Sequence, residues 1–105
     1  MTQKTIEWNL SFAQDEVITG VENLLSTGGY IYTRGGSDAE VRLHVTLSQG
    51  SLELAVRPLL SQRSPFSQQI GFHRTLLVMT WTGVSAQEEE TFLRRLTLTF
   101  LRVGG

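Results

Sequence analysis

The 105-residue chain contains no cysteine, only two prolines and no apolar run long enough to cross a bilayer. The lack of cysteine excludes disulfides, thiolate metal sites and a cysteine nucleophile, and it fits a reducing compartment. Met1 to Lys4 lead straight into an alternating pattern, with no apolar signal-peptide core. We therefore expect a cytoplasmic protein that is neither secreted nor inserted in a membrane.

A large charge of one sign is also lacking, because nine basic and ten acidic residues leave a formal net charge of -1. A strong, non-specific polyanion binder usually carries a basic excess, so nucleic acid is not an expected partner. Lys4 is the only lysine, and the other basic residues are arginines. Arginine suits planar contacts with carboxylate or phosphate, and the same bias can arise from the base composition of a genome.

Catalytic motifs are scarce. The two histidines, His44 and His73, belong to no zinc-protease motif, and no phosphate-binding or dinucleotide-binding glycine motif is present. On neighbouring strands the two imidazoles can meet, with Glu7 or Glu53 as a third metal ligand; the simpler interpretation is that both face solvent. We expect no enzyme activity, no bound metal and no cofactor.

Two segments carry the start and stop signals of amphipathic helices. Ser11 with Gln14 matches a capping box, apolar residues follow at helical spacing, and Gly28-Gly29 ends the segment. Ser85 with Glu88 opens the second segment in the same way, and Gly104-Gly105 closes it. The apolar positions are Val17, Ile18, Val21, Leu24 and Leu25 in the first helix, and Phe92, Leu93, Leu96, Phe100 and Val103 in the second.

The second helix has one competing interpretation. Residues 95–101 alternate apolar side chains with threonine, and threonine favours strands over helices. We expect a helix, because the capping box is strong and Glu88, Glu89 and Glu90 occupy a first turn where the macrodipole favours negative charge.

The remaining chain carries strand patterns. Residues 5–12 alternate as a half-buried strand, and residues 30–33 form a short strand that ends in a mobile glycine loop at 35–38. A hairpin joins residues 41–47 to 52–57 through a turn at 48–51, and Pro58 ends its second arm or places it at a sheet edge. Residues 61–71 read as an exposed loop, long enough to be functional. The strand at 72–82 is apolar on both sides, which predicts a central strand with both faces at least partly covered.

These elements predict one compact α+β domain over residues 1–105, with the order β-α-β-β-β-β-α. We expect two layers: an antiparallel sheet of four or five strands, with both amphipathic helices on one face.

Three groups of residues are candidates for binding a partner. Tyr30, Tyr32 and Arg34 share one strand face, either as a platform that stacks bases or grips a peptide, or as tyrosines packed against a helix. Phe66 either anchors a partner or tucks under its own loop. Arg94, Arg95 and Arg102 form either a surface for an acidic partner or an ordinary solvated helix face.

The last ten residues, LTLTFLRVGG, resemble the final strand and tail of ubiquitin-like modifiers. That resemblance implies a fold that begins with a hairpin before its helix. It also implies that Gly105 carries the carboxylate that is adenylated and conjugated, and that Gly104 leaves room for an activating enzyme.

The sequence therefore predicts a small non-enzymatic protein–protein interaction module: an adaptor, an inhibitor of a partner, or a small subunit of an assembly. The alternative is a ubiquitin-like modifier activated at its terminal Gly-Gly. The expected partner is another protein. A homodimer is compatible with the pattern, because an open sheet edge or sheet face is commonly covered by a second copy.

Overall fold

The computed structural model describes residues 3–59 and 74–104, with side chains as far as Phe100. The chain order is β-α-β-β-β-β-α, as predicted. The elements are β1 (Gln3–Leu10), α1 (Gln14–Thr27), β2 (Ile31–Ser37), β3 (Glu40–Thr46), β4 (Ser51–Leu59), β5 (Arg74–Thr82) and α2 (Ala86–Gly104). No helix among the described residues is long and apolar enough to cross a membrane.

The five strands form one sheet in the order β1-β5-β4-β3-β2, and every neighbouring pair is antiparallel. β4 is the middle strand, so its alternating residues mark the centre of each face. Leu54 lies opposite Leu43 of β3 and Met79 of β5 on one face, and Ala55 lies opposite Arg42 and Val78 on the other. The predicted antiparallel sheet is confirmed, and β5 is an interior strand between β1 and β4; among the described residues, however, helices cover only one of its two faces.

Both helices cover the face that carries Leu54. α2 runs back along α1 in the opposite direction: Phe100 contacts the ring of Phe12 just before α1, and Arg95 lies beside Gly28 at the end of α1. The ring of Phe92 meets Trp81 of β5 edge-on, with ring centroids 5.4 Å apart. The apolar stripes of the two helices and one side of the sheet thus form a single buried core.

The first helix begins two residues later than the predicted cap. Ala13 is the N-cap, and its backbone N–H donates to the Glu16 carboxylate at 3.1 Å. Ser11 lies exposed before the helix and does not cap it. At α2 the predicted cap is correct for Ser85, whose hydroxyl accepts a hydrogen bond from the Glu88 backbone N–H at 3.2 Å, while the Glu88 carboxylate bonds to Ser48 instead of completing the capping box.

The first helix ends in a Schellman motif. Gly29 has a positive φ of 74°, and the N–H groups of Gly29 and Tyr30 donate to the carbonyls of Ser26 and Leu25, at 3.2 and 2.9 Å. These bonds satisfy carbonyl groups that the last turn otherwise leaves unpaired. Of the two glycines, Gly29 takes the left-handed conformation, while Gly28 stays helical with φ of -79°.

Residues 95–101 lie in α2, so the helix interpretation is correct and the strand alternative is not. The threonine hydroxyls donate to carbonyls four residues earlier, from Thr97 to Leu93 at 2.8 Å and from Thr99 to Arg95 at 2.9 Å. The structure therefore does not place the modifier-like segment in a strand, and β1 leads directly into a helix rather than into a hairpin. Gly104 is the last residue of α2, and Gly105 lies outside the described residues.

The glycine loop predicted at 35–38 is wrong in position. β2 continues to Ser37, and Gly35 and Gly36 pair with Arg42 and Val41 of β3. Gly36 has a φ of 88°, and a side chain there would collide with the carbonyl oxygen of Glu40. The two glycines therefore let the strand run into a tight turn instead of forming a loop.

The β3–β4 hairpin matches its prediction, and Pro58 lies within β4 rather than at its end. The pairing of β4 with β3 stops at Val56, so Pro58 lies where β4 is bonded only to β5. A missing backbone N–H is tolerated at such a local edge. The loop predicted at 61–71 lies outside the described residues.

Candidate interaction surfaces

Tyr30, which directly precedes β2, and Tyr32 and Arg34 of β2 lie on the side of the sheet that the helices cover. The Tyr30 ring meets Phe92 edge-on, with centroids 5.6 Å apart. The Tyr32 hydroxyl donates to Glu22 of α1 at 3.2 Å, and Arg34 pairs with the same carboxylate at 3.4 Å. Tyr32 and Arg34 therefore join β2 to α1, whereas Tyr30 packs on α2, and both tyrosine rings are partly buried against the core.

The arginines of α2 point to different surroundings. Arg94 pairs with Glu90 one turn earlier at 3.2 Å, and both side chains are 73% exposed. Arg95 turns toward the end of α1, where its Nη1 lies 2.9 Å from the position that a Gly28 Cβ would occupy. The structure thus separates Arg94 from Arg95. Phe66 and the side chain of Arg102 lie outside the described part of the chain.

Between the two helices lies a groove of about 640 Å³, which we call the inter-helix groove. The end of α1 forms one wall, and the middle of α2 forms the other. Leu98 is 55% exposed and is one of two large apolar side chains that stand out to solvent among the described residues. The lining residues are Gly20, Asn23, Leu24, Thr27, Gly28, Arg95, Leu98 and Thr99.

The positive charge of Arg95 lies beside the partial negative charge at the carboxyl end of α1. The last turn of α1 has no basic residue of its own, and the carboxyl end of a helix carries partial negative charge. Arg95 therefore supplies from α2 the positive charge that this helix end favours. Among the described residues, no carboxylate oxygen lies within 4.0 Å of its guanidinium, so the groove presents an apolar side chain beside a cation.

The three glutamates at the start of α2 have separate partners. Glu88 accepts hydrogen bonds from the Ser48 hydroxyl at 3.1 Å, and Glu89 pairs with Lys4 at 2.8 Å. These contacts attach the start of α2 to the β3–β4 turn and to β1. The geometry gives the three carboxylates no shared site.

The second surface is the sheet face opposite the helices, which we call the open face. Its centre is apolar: Ala55, Leu76 and Val78 are half-buried by their neighbours in the sheet. Polar and charged side chains surround them, with Glu53 and His44 toward one end, Arg57 and Glu40 toward the other, and Arg42 level with Ala55. No helix covers this face within residues 3–59 and 74–104.

One end of the open face holds a charge cluster. Glu40 accepts paired hydrogen bonds from Arg42, at 3.1 and 2.9 Å, on one carboxylate oxygen, and from Arg57 on the other. The hydrogen bonds from Arg57 and then from Arg42 hold the pKa of Glu40 below its ordinary value of 4.5. The cluster leaves a net positive charge on this end of the face.

The histidine pair is only partly described. His44 is exposed on the open face beside Glu53, and His73 lies outside the described residues. Within the described ranges, no three side chains of the metal-binding types come together.

Sequence reasoning missed Leu98, although a signal was present. Leu98 is apolar but falls outside the stripe of Phe92, Leu96 and Phe100, so a helix through these residues must expose it. A similar signal indicated the open face: β5 is apolar on both of its sides, and the helices cover only one of them. The sequence matches no protein-family model, and a search of curated proteins found no relative.

Proposed function

We propose that the protein is a small non-enzymatic protein–protein interaction module that binds a segment of another protein in the inter-helix groove. It then works as an adaptor, as an inhibitor of its partner, or as a small subunit of an assembly. The observation that carries this proposal is the exposed Leu98 beside Arg95, whose guanidinium no described carboxylate pairs. The lack of cysteine supports a reducing, cytoplasmic setting.

The groove favours a segment that is apolar and acidic. Leu98 exposes apolar surface whose removal from water is favourable. An apolar anchor buried in this way commonly contributes much of the binding free energy of an interface. Arg95 can form two parallel hydrogen bonds with a carboxylate of the partner. Two antiparallel helices leave a channel along their length, which suits a helical or extended segment.

The test is affinity capture from the native cell lysate with an amino-terminally tagged chain, measured by quantitative mass spectrometry. Leu98→Asp and Arg95→Glu should each deplete the same partner at least about tenfold, because they replace the apolar contact or reverse the charge. Arg94→Glu is the matched control, since Arg94 lies one residue away, outside the groove lining. Equal recovery of partners by all four chains would contradict the proposal.

A chain that lacks Gly104 and Gly105 separates this proposal from the modifier alternative. An interaction module should keep its partner after the deletion and release it in denaturant. A ubiquitin-like modifier would lose its activity and would show a covalent adduct through Gly105 in the intact chain. Such an adduct would contradict the proposed function and would support the modifier alternative.

A further inference from the structure

The open face has an apolar centre that no described helix covers. Both sides of β5 are apolar in the sequence, but the helices cover only the side that carries Leu77 and Met79. Leu76 and Val78 lie on the other side, next to Ala55 of the middle strand. An apolar centre ringed by polar groups is the pattern of an interface core and its rim.

Charges on the open face are arranged symmetrically about Ala55. Glu53 lies two residues before Ala55 on β4 and Arg57 lies two residues after it, all three on the same face. A twofold axis that passes over Ala55, parallel to the sheet and perpendicular to the strands, reverses the strand direction. It therefore places Glu53 of each copy opposite Arg57 of the other, twice in one interface.

Neighbouring strands fit the same operation. On β5, directly beside Ala55, Val78 meets Val78 of the second copy at the centre of the interface. On β3, His44 comes opposite Glu40, which places a hydrogen-bond donor against a carboxylate. The two copies of Arg42 also come together; each donates to its own Glu40 at 2.9 Å, but Arg57 shares that carboxylate, so it offsets only part of the repulsion.

The edge strands are less constrained. Glu7 of β1 lies level with Ala55, so the twofold axis places Glu7 of one copy opposite Glu7 of the other. Packed sheets cross at about 30°, which separates side chains that lie two strands from the axis. Glu7 therefore lies at the solvated rim, where like charges are screened.

The open face is close in size to the smallest specific interfaces. Five strands at about 4.8 Å spacing, each of about seven residues at about 3.3 Å, give it an area of roughly 550 Å² on each copy. Two such faces have about 1,100 Å² in all, near the roughly 1,000 Å² of a specific interface, so the dimer uses most of the face and leaves only its rim to solvent. From these observations we infer that the occupant of the open face is a second copy of this chain, packed face to face about the twofold axis over Ala55.

The test uses complementary charge reversals and sedimentation velocity over a wide concentration range. The wild-type chain should sediment with twice the monomer mass. Glu53→Arg alone and Arg57→Glu alone should each be monomeric, with the dimer Kd raised at least about a hundredfold, because both reciprocal contacts become like-charged. Glu90→Arg, which reverses a charge on the outer side of α2, is the control and should remain dimeric.

An equal mixture of Glu53→Arg and Arg57→Glu chains should regain the dimer mass, because every contact across the axis again pairs opposite charges. That recovery shows that both variants fold. A monomeric wild type, a dimer that Glu53→Arg leaves intact, a mixture that stays monomeric, or a larger open assembly would each overturn the inference. Leu98→Asp should keep the dimer, so failure of the groove proposal and failure of this one are distinguishable.

Discussion

At the scale of single residues, the conformation of Gly29 is imposed by the end of α1. Its φ of 74° lies in the left-handed region, and nothing lies within 4 Å of the position of an added side chain. Any cost of a substitution there comes from the backbone and not from crowding.

Replacement of Gly29 by alanine is therefore expected to lower the free energy of unfolding by about 1–2 kcal/mol. Gly35→Ala is the matched control, since Gly35 also has open space around it but no positive φ. Chemical denaturation of both variants measures the difference. Equal losses at the two positions would contradict the assigned role of Gly29.

Glu40 makes a residue-scale prediction that depends on pH. Its pKa is lowered by hydrogen bonds from Arg57 and Arg42, so the folded state holds the proton less tightly than the unfolded chain does. This contribution to stability is present above pH 4.5 and is lost as the pH falls below that value, when the carboxylate becomes protonated.

The difference in unfolding free energy between wild type and Glu40→Gln should therefore be larger at neutral pH than in acid. Denaturation curves at several pH values measure it. In a chain that also carries Arg42→Ala and Arg57→Ala, the effect of Glu40→Gln should no longer depend on pH. A dependence that survives in that background would show that other groups cause it.

At the scale of elements, α2 shows how two patterns in one segment compete. In a strand, Leu96 and Leu98 would share a face, whereas in a helix they are separated by about 200°. Leu96 is fully buried and Leu98 is 55% exposed, as the helix requires. Thr97 and Thr99 bond to carbonyls of the preceding turn, so the preference of threonine for strands does not decide the outcome.

Leu96→Ala is expected to lower the free energy of unfolding by about 2–5 kcal/mol, because it removes a buried side chain from the core. Leu98→Ala should change it by no more than about 0.5 kcal/mol, because the side chain is at the surface. Thermal and chemical denaturation compare the pair. Similar losses for both variants would contradict the helical assignment of residues 95–101.

Local signals predicted the elements better than they predicted their ends. The spacing of Ser11 and Gln14 recurs two residues later in Ala13 and Glu16, and the helix begins at the later pair because Glu16 reaches the Ala13 N–H. The glycines at 35 and 36 suggested a loop, yet the pairing of β2 with β3 extends through both. Both features depend on which residues pair with one another, and the residue types of a single segment do not specify that pairing.

At the scale of the whole molecule, the sequence predicted the layers but not the surfaces. Alternation and helical stripes place the core between the sheet and the helices, and the structure confirms this arrangement. The groove depends on how α1 and α2 lie beside each other, and the charge symmetry of the open face depends on strand register. Neither can be read from single segments, which is why the predicted binding residues included Arg95 but not Leu98.

The two proposals use separate surfaces of one small domain: the groove between the helices for another protein, and the open sheet face for a second copy. The proposed function requires that the groove contact another protein in the cell. The most direct measurement places a photoreactive amino acid at Leu98 and, as a control, at exposed Thr91 of the same helix. We expect discrete, heavier adducts with another protein from position 98 and none from position 91. Absence of adducts at position 98, or equal labelling at both positions, would contradict the proposed function.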